Sequence, residues 1–330
     1  MIKMYQDKST KPLLEVIELS KSFTVRKGIF SSLNSNVIAA KNISFNIDHG
    51  ETLGLVGESG CGKTTVGLSV LRLIEPSSGK VKLNGVDITE LRSKELRKHR
   101  REMQMIFQDP YSSLNPRMRV GKIVEEPLNI FSAANSKDKK DLVSTIFERV
   151  GLQTEDMNKF PHEFSGGQRQ RIGIGRALAL KPSLIVCDEP VSSLDVSIQA
   201  QVINLLIDLQ EELGLAYLFI SHDLAIVQHI SHRIAVMYLG QIVEMADCNE
   251  LFMNPFHPYT KALLSAVPLM NPKNKEKNQN LIMGDLPSPI NRPSGCCFHT
   301  RCTYVMKRCI EEPPIYQKIK KNHWAACHLN

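Results

Sequence analysis

The residues with the clearest chemical purpose are Gly57-Glu58-Ser59-Gly60-Cys61-Gly62-Lys63-Thr64, set between an apolar run at 53–56 and a helical pattern that begins near Thr65. They match G-x-x-x-x-G-K-[ST] at every fixed position, the pattern of a loop whose backbone N–H groups cradle a phosphate chain. Gly57, Gly60 and Gly62 let the backbone come close and turn its N–H groups inward. The anion then rests on a helix N-terminus that already carries partial positive charge. Lys63 is placed to hold the terminal phosphates and Thr64 to ligate magnesium, with Glu58, Ser59, Cys61 and Thr65 completing the contact set. A plain glycine-rich connector is the alternative, but it has no use for lysine and threonine at these places.

Two further stretches carry groups that could act on phosphates. Leu184-Ile185-Val186-Cys187-Asp188-Glu189 is an apolar strand delivering two carboxylates at its C-terminal end, where parallel-sheet folds gather ligands. Asp188 suits a magnesium contact and Glu189 suits a base for an attacking water. Alone, a strand ending in Asp-Glu reads equally well as surface charge; downstream of a phosphate loop it reads as the second half of a site. In Phe164-Ser165-Gly166-Gly167-Gln168-Arg169-Gln170-Arg171, Ser165 and Gln168 form a capping box, which is reason enough for a helix to start. Yet Gly166 and Gly167 each cost about 1 kcal/mol in a helix, and they leave backbone N–H groups open to an anion.

Residues 164–168 resemble the signature motif of the ATP-binding cassette (ABC) ATPases, departing from the usual Leu-Ser-Gly-Gly-Gln only at Phe164. The resemblance covers residues 13 to about 250 and brings the other family motifs in order: Gln108 as the Q-loop glutamine, Ser193-Leu194-Asp195 as the D-loop, and His222, directly after an apolar strand, as the switch histidine. It makes Phe23 the ring that stacks on adenine, although an aromatic in a strand is also ordinary core. It implies ATP and Mg2+ as ligands, with Glu189, His222, Lys63 and Gln108 as the catalytic set and Thr64, Gln108 and Asp188 at the metal. The family mechanism implies a dimer with ATP sandwiched between chains, where Ser165, Gly166, Gly167, Gln168 and Asp195 of one chain complete the phosphate-loop site of the other.

Elements must position these groups. The 330 residues, 42% hydrophobic, are enough for one large or two modest domains. Residues 13–25 and 37–48 read as an antiparallel lead-in of two strands separated by a Gly/Ser/Asn loop at 28–36. Asn84-Gly85 marks a hairpin. Residues 92–101 form a charged helix whose basic face is either solvated or a nucleic-acid contact, and 111–181 read as an inserted helical lobe. The alternation of strand and helix that resumes at 184 implies a parallel sheet with helices on both faces. The expected fold class is therefore α/β: an ABC-type nucleotide-binding domain over 1–254, joined to a small cysteine-rich C-terminal extension over 255–330.

The net charge of +7 decides little, since it suits nucleic acids, anionic membranes and phosphorylated ligands alike. No run reaches about 18 uninterrupted apolar residues, the length of a membrane span, and the N-terminus has no signal-peptide core, so the chain is expected in the cytosol. Segments 108–118, 257–264 (His-Pro-Tyr-Thr-Lys-Ala-Leu-Leu) and Pro287-Ser288-Pro289 look like the ATP-binding subunits of dipeptide, oligopeptide and nickel importers, and the 28–36 loop is similar to the F-type partner of their D/F pairs. That resemblance implies work at the cytoplasmic face of the plasma membrane with a D-type ATPase subunit, two permease subunits and an external solute-binding protein, and no nucleic acid. A ribosome-associated ABC protein would carry two cassettes where this chain has one; a DNA-repair relative would need a coiled coil between the two nucleotide motifs.

Five of the eight cysteines lie beyond residue 295. The spacing Cys-x5-Cys-x6-Cys-x17-Cys at Cys296, Cys302, Cys309 and Cys327 resembles the C-terminal pattern of peptide-importer ATPases, where a four-iron, four-sulfur cluster is implied; Cys297 could replace Cys296. Four thiolates suit such a cluster or structural zinc, and His299, His323 and His328 keep a mixed zinc site open. Cys61, at a helix N-terminus, reads either as a low-pKa, reactive thiol or as the filler of a tolerant loop position.

Overall fold

A computed structural model describes residues 11–26, 34–131, 135–266, 287–288 and 290–329. Residues 28–33 of the glycine-containing loop, the lysine-rich stretch 271–280 and Pro289 lie outside the described residues. Chain order begins with β1 (Leu14–Arg26), β2 (Asn34–Ile47), β3 (Thr52–Val56), α1 (Lys63–Val70), β4 (Ser78–Leu83), β5 (Val86–Asp87), α2 (Ser93–His99) and β6 (Met103–Ile106). The helical segment contains α3 (Val120–Phe131), α4 (Ser136–Arg149) and α5 (Gly166–Leu178). Alternation resumes with β7 (Leu184–Asp188), α6 (Val196–Leu213), β8 (Ala216–Ser221), α7 (Leu224–Ile230), β9 (Arg233–Tyr238) and β10 (Gln241–Asp247). After these come α8 (Cys248–Met253), α9 (Pro258–Ser265), α10 (Lys307–Glu311), β11 (Tyr316–Lys320) and β12 (His323–Ala326).

The central sheet has the order β11-β12-β10-β9-β3-β8-β7-β6, parallel from β9 through β6 and antiparallel beyond β9. Strands β3, β7 and β8 are buried at every residue, which is why they read as unbroken apolar runs rather than alternations. Their side chains divide by parity. Leu184, Val186, Leu218 and Ile220 join one core, while Ile185, Cys187, Tyr217 and Phe219 join the other. The second face is covered by helices, as expected. The first is covered by α1 together with the antiparallel sheet β2-β1-β4-β5, whose Leu14, Val16, Ile43 and Val81 fill that core. The lead-in strands thus form a second layer rather than a preface, because their apolar faces have to be buried somewhere. The Asn-Gly hairpin forms with both turn residues left-handed, Asn84 at φ 51° and Gly85 at φ 79°.

The tail contributes two strands that the sequence did not suggest. β12 pairs with the edge of β10 and β11 pairs with β12. β11 is largely exposed and mostly polar, so its pattern is that of a loop; only edge pairing makes it a strand. The seam is held by Glu244 on β10, fully buried, whose carboxyl accepts N–H bonds from Phe256 (2.7 Å) and His257 (2.8 Å) and lies 2.7 Å from His323 Nε2 on β12. His257 in turn caps α9, its Nδ1 accepting the Tyr259 N–H at 3.0 Å.

Burial pushes His257 down from its ordinary value of 6.5 to about 4; the Glu244 carboxyl opposes that shift and the Lys261 ammonium adds to it. The unfolded chain therefore takes up a proton that the folded chain refuses, and stability falls as pH drops through the window from about 6.5 toward 4. The slope contributed by this residue is about 1 kcal/mol per pH unit within the window. His257→Asn keeps a capping side chain without the titration. Urea unfolding at pH 7 and pH 5 should show a smaller acid destabilisation in the variant than in the wild type; equal losses would assign the effect elsewhere.

Candidate active site

The phosphate loop leaves β3 and enters α1 with Gly57, Gly60 and Gly62 at φ 154°, 80° and 107°. Gly62 occupies the N-cap position without a side-chain cap, so the first N–H groups of α1 are left for a ligand. Lys63 is 4% exposed, and its Nζ donates to the carbonyls of Gly57 (2.8 Å) and Glu58 (3.1 Å). Its ammonium is thereby held over the loop that would receive an anion.

Parallel topology brings the remaining groups to the same edge, since β3, β6, β7 and β8 all end there. Thr64 Oγ1 donates to Asp188 Oδ1 at 3.0 Å. Burial raises the Asp188 carboxyl above its ordinary value, against the pull of the Thr64 hydrogen bond and Lys63. A hydroxyl and a partly desolvated carboxylate side by side are hard oxygen donors, which fit Mg2+ bound together with phosphate. Glu189 follows at φ 46°, a left-handed conformation unusual for glutamate. Its carboxylate receives Gln108 Nε2 at 3.0 Å, with His222 Nδ1 at 3.2 Å and Lys63 Nζ at 4.0 Å. Residues from three strand ends and the loop lysine therefore meet at one carboxylate.

A cavity of about 250 Å³ lies over the loop, lined by Ser59 through Thr65, Gln108 and Glu189 together with Val37, Ile38, Ala39, Leu239 and Gly240. The β2 residues and the β9–β10 turn were not singled out in the sequence; they are apolar or glycine, and only tertiary packing places them here. Phe23 is 39% exposed on β1, opposite Val37 in register, with Lys21 Nζ 5.0 Å from its ring centre. Ser193 and His222 line the adjoining cavity. Asp195 is exposed and begins α6 without spending its side chain on a cap.

The signature stretch does form the expected reciprocal box, Ser165 Oγ accepting from Gln168 N–H (3.3 Å) and Gln168 Oε1 from Ser165 N–H (2.9 Å). Gly167 also has a packing reason: a Cβ there would run into Ile198 of α6. No residue of 164–168 lines either cavity at the phosphate loop.

One expectation is corrected, and a second, the tail metal centre, finds no support in the side chains as placed. Cys61 is 2% exposed, and burial raises its thiol pKa more than neighbouring Lys63 lowers it; the helix N-terminus does not outweigh desolvation. The tail cysteines do not form a closed metal site: among the described residues, no three His, Cys, Asp or Glu side chains are grouped to hold an ion. Cys296 and Cys309 are packed in the core with Cys302 against it, and burial pushes the Cys296 thiol up to about 12 and those of Cys302 and Cys327 upward. Cys297 Sγ turns away to Gln241 Oε1 at 2.9 Å. The three histidines are also engaged, His299 with Cys296 O, His323 with Glu244 and His328 with Glu312 O. A native labelling experiment follows from the Cys61 correction. At pH 7, maleimide should leave Cys61 unmodified with or without MgATP and modify it once urea unfolds the chain; rapid native labelling of Cys61 would restore the reactive-thiol reading.

With this geometry in hand, comparison with known proteins is informative. A family model described as ABC transporter matches residues 40–192, and one described as oligopeptide/dipeptide transporter, C-terminal region, matches residues 243–309. The chain is 49% identical to the oligopeptide transport ATP-binding protein AppF of Bacillus subtilis, over 96% of this chain and 97% of that one. It is 50% identical to the putative oligopeptide transport ATP-binding protein YkfD of the same organism, over 96% and 95%. Among solved structures it resembles the ATP-binding cassette MJ0796, a dimer bound to ADP and Pi, with TM-score 0.63 and 27% identity over 71% of this chain and 98% of that one. A similar match is cbiO1 from Clostridium perfringens, with TM-score 0.64 and 26% identity over 74% and 91%. The chain belongs to the ABC transporter family, among its oligopeptide-type ATP-binding proteins.

Proposed function

We propose that this chain hydrolyses ATP to power peptide uptake through a membrane importer, with Glu189 as the base for the attacking water. The convergence of Gln108, His222 and Lys63 on the Glu189 carboxylate, beside Thr64 and Asp188, carries this reading. Loop N–H groups and Lys63 bind the β and γ phosphates; Mg2+, held by Thr64, Asp188 and Gln108, would neutralise charge on them. Glu189 takes a proton from water as its oxygen attacks the γ phosphorus and the bond to the β-phosphate oxygen breaks. Gln108 and His222 fix the carboxylate's orientation, and His222 faces the charge that develops. Phe23 stacks on adenine at the exposed edge of β1.

The exposed N-terminal end of the signature helix and the uncommitted Asp195 support a two-chain site, with Ser165–Gln168 of a partner ATPase closing over the phosphate loop. That partner is a D-type subunit. The assembly adds two permease subunits and an external solute-binding protein, and the chain works at the cytoplasmic face of the plasma membrane. No helix among the described residues is long and apolar enough to cross a membrane, which fits a peripheral subunit. Di- or oligopeptides are the cargo, after the names of the relatives; nickel or another solute is the alternative, separated by uptake of labelled peptides and nickel with and without the chain.

The finer reading of the tail is a structural metal centre, iron–sulfur or zinc, at Cys296, Cys302, Cys309 and Cys327. Its support is the cysteine spacing, together with the packing of Cys296 and Cys309 in the core with Cys302 against it. Ligation would require loss of their protons and rotation of the side chains toward one another. Anaerobic purification should yield stoichiometric iron and sulfide, or zinc; a metal-free chain with a protease-resistant tail removes this part of the proposal.

Glu189→Gln keeps the shape of the side chain but accepts no proton. Turnover in the assembled transporter should fall by about two orders of magnitude or more, while ATP binding persists and the closed dimer accumulates. Near wild-type hydrolysis would show that Glu189 is not the base.

A further inference from the structure

We infer that the C-terminal tail sets the affinity of the phosphate loop for ATP, with Arg301 and Tyr259 as positioning residues that act through Glu58. Glu58 is held at three points. Its N–H donates to Tyr259 Oη at 3.0 Å, its carboxylate oxygens lie 3.0 and 3.1 Å from Arg301 Nη1, and its carbonyl accepts Lys63 Nζ at 3.1 Å. Two of these three partners come from beyond residue 255, and the third is the lysine that meets the phosphates.

The partners are themselves fixed. Tyr259 is fully buried, its ring 4.7 Å from that of Tyr238 and 5.3 Å from that of Phe298. The Arg301 side chain is 7% exposed and stands beside Tyr238, with Nη1 3.5 Å from its hydroxyl. Phe298, 2% exposed, lies three residues before Arg301 and anchors that short helical turn in the aromatic cluster. A guanidinium so placed cannot follow Glu58 about; Glu58 must come to it.

Two consequences reach the nucleotide. Fixing Glu58 fixes the start of a loop whose next residues, Ser59 and Gly60, are exposed and otherwise free to reorient, so their N–H groups need less ordering when ATP arrives. Arg301 also neutralises a carboxylate that stands next to an anion cradle. Left unpaired, that negative charge would act against the phosphates through a partly screened medium. Neither residue lines the cavity over the loop, so both act at one remove from the chemistry.

The inference rests on the loop binding ATP, and titration of the wild-type chain with a fluorescent ATP analogue tests that premise by itself. Arg301→Ala should weaken binding of the analogue by roughly tenfold, the order of effect expected of one uncompensated charge near a phosphate chain. The double variant Glu58→Gln/Arg301→Ala, in which the uncompensated charge is gone, should recover to within about threefold of wild type. In the assembled transporter the loss should appear in KM for ATP with kcat nearly unchanged. Wild-type affinity in Arg301→Ala overturns the inference, and so does a double variant as weak as Arg301→Ala, because a merely structural defect would not be rescued by removing Glu58's charge. Should Arg301→Ala fail to fold, Tyr259→Phe decides: it deletes only the hydroxyl, and unchanged affinity for the analogue overturns the inference.

Discussion

The two glycines that bound the phosphate loop, Gly57 and Gly62, keep their places because neither position has room for a side chain. A Cβ on Gly57 would collide with the Met237 carbonyl oxygen of β9, and one on Gly62 with the Ala39 carbonyl oxygen of β2. Both glycines also sit at positive φ, so any side chain there would be strained as well as blocked. The loop is wedged between strands of two different sheets, and hydrogen bonds close the wedge: Gly240 N–H to Cys61 O at 2.8 Å and Lys41 N–H to Gly240 O at 2.7 Å. This requirement explains the second layer. A helix over that face would present side chains, whereas an adjoining strand presents backbone carbonyls at the distance only glycine accepts.

The polar centre depends on a different balance. Glu189 adopts a left-handed backbone that costs a non-glycine residue about 1–2 kcal/mol, and its N–H is tied to Ile220 O at 2.9 Å on the neighbouring strand. The strain turns the carboxylate out of the sheet and toward Gln108, His222 and Lys63, which arrive from β6, β8 and α1. Asp188, one residue earlier and still inside the strand, cannot make that turn; it stays buried against Thr64. Two adjacent carboxylates thus acquire different surroundings from one backbone kink, and different surroundings are what separate a metal contact from a base.

The residues of the candidate site were legible because each carries a local signal. Lys63 and Thr64 follow their glycines, Asp188 and Glu189 end an apolar run, and Ser165 and Gln168 write a capping box into four residues. The Asn84-Gly85 hairpin was legible for the same reason: turn chemistry is short-range. What the sequence concealed is all long-range. Tyr259 looked like a subfamily marker and Arg301 like a residue between cysteines, yet both contact Glu58 across some two hundred positions of chain. Burial was also invisible at Cys61, where the helix end argued for a thiolate and the packed loop produced the opposite shift. The cysteine spacing, finally, is a one-dimensional pattern; whether side chains face one another is decided by rotamers that spacing does not record.

Within one chain the site is left open on one side. Among the described residues, the cavity over the phosphate loop is lined by the loop itself, the strand ends, the lead-in sheet and the β9–β10 turn, and the helix bearing Gly166 and Gly167 stands apart from that cavity with its first residue exposed. Ser165 and Gln168 satisfy each other, so the box holds that helix end rigid whether or not a phosphate is present. Val196, 81% exposed directly after Asp195, adds an apolar surface at the start of α6. A rigid donor set, an unspent carboxylate and an exposed valine together favour burial against a second cassette over permanent exposure to water. On the proposed two-chain reading, hydrolysis would be tied to association, since the stabilising donors would be supplied only when two chains meet. The tail contacts on Glu58 belong to the same chain as the loop, so on that reading the geometry presented to a partner would be prepared before it arrives.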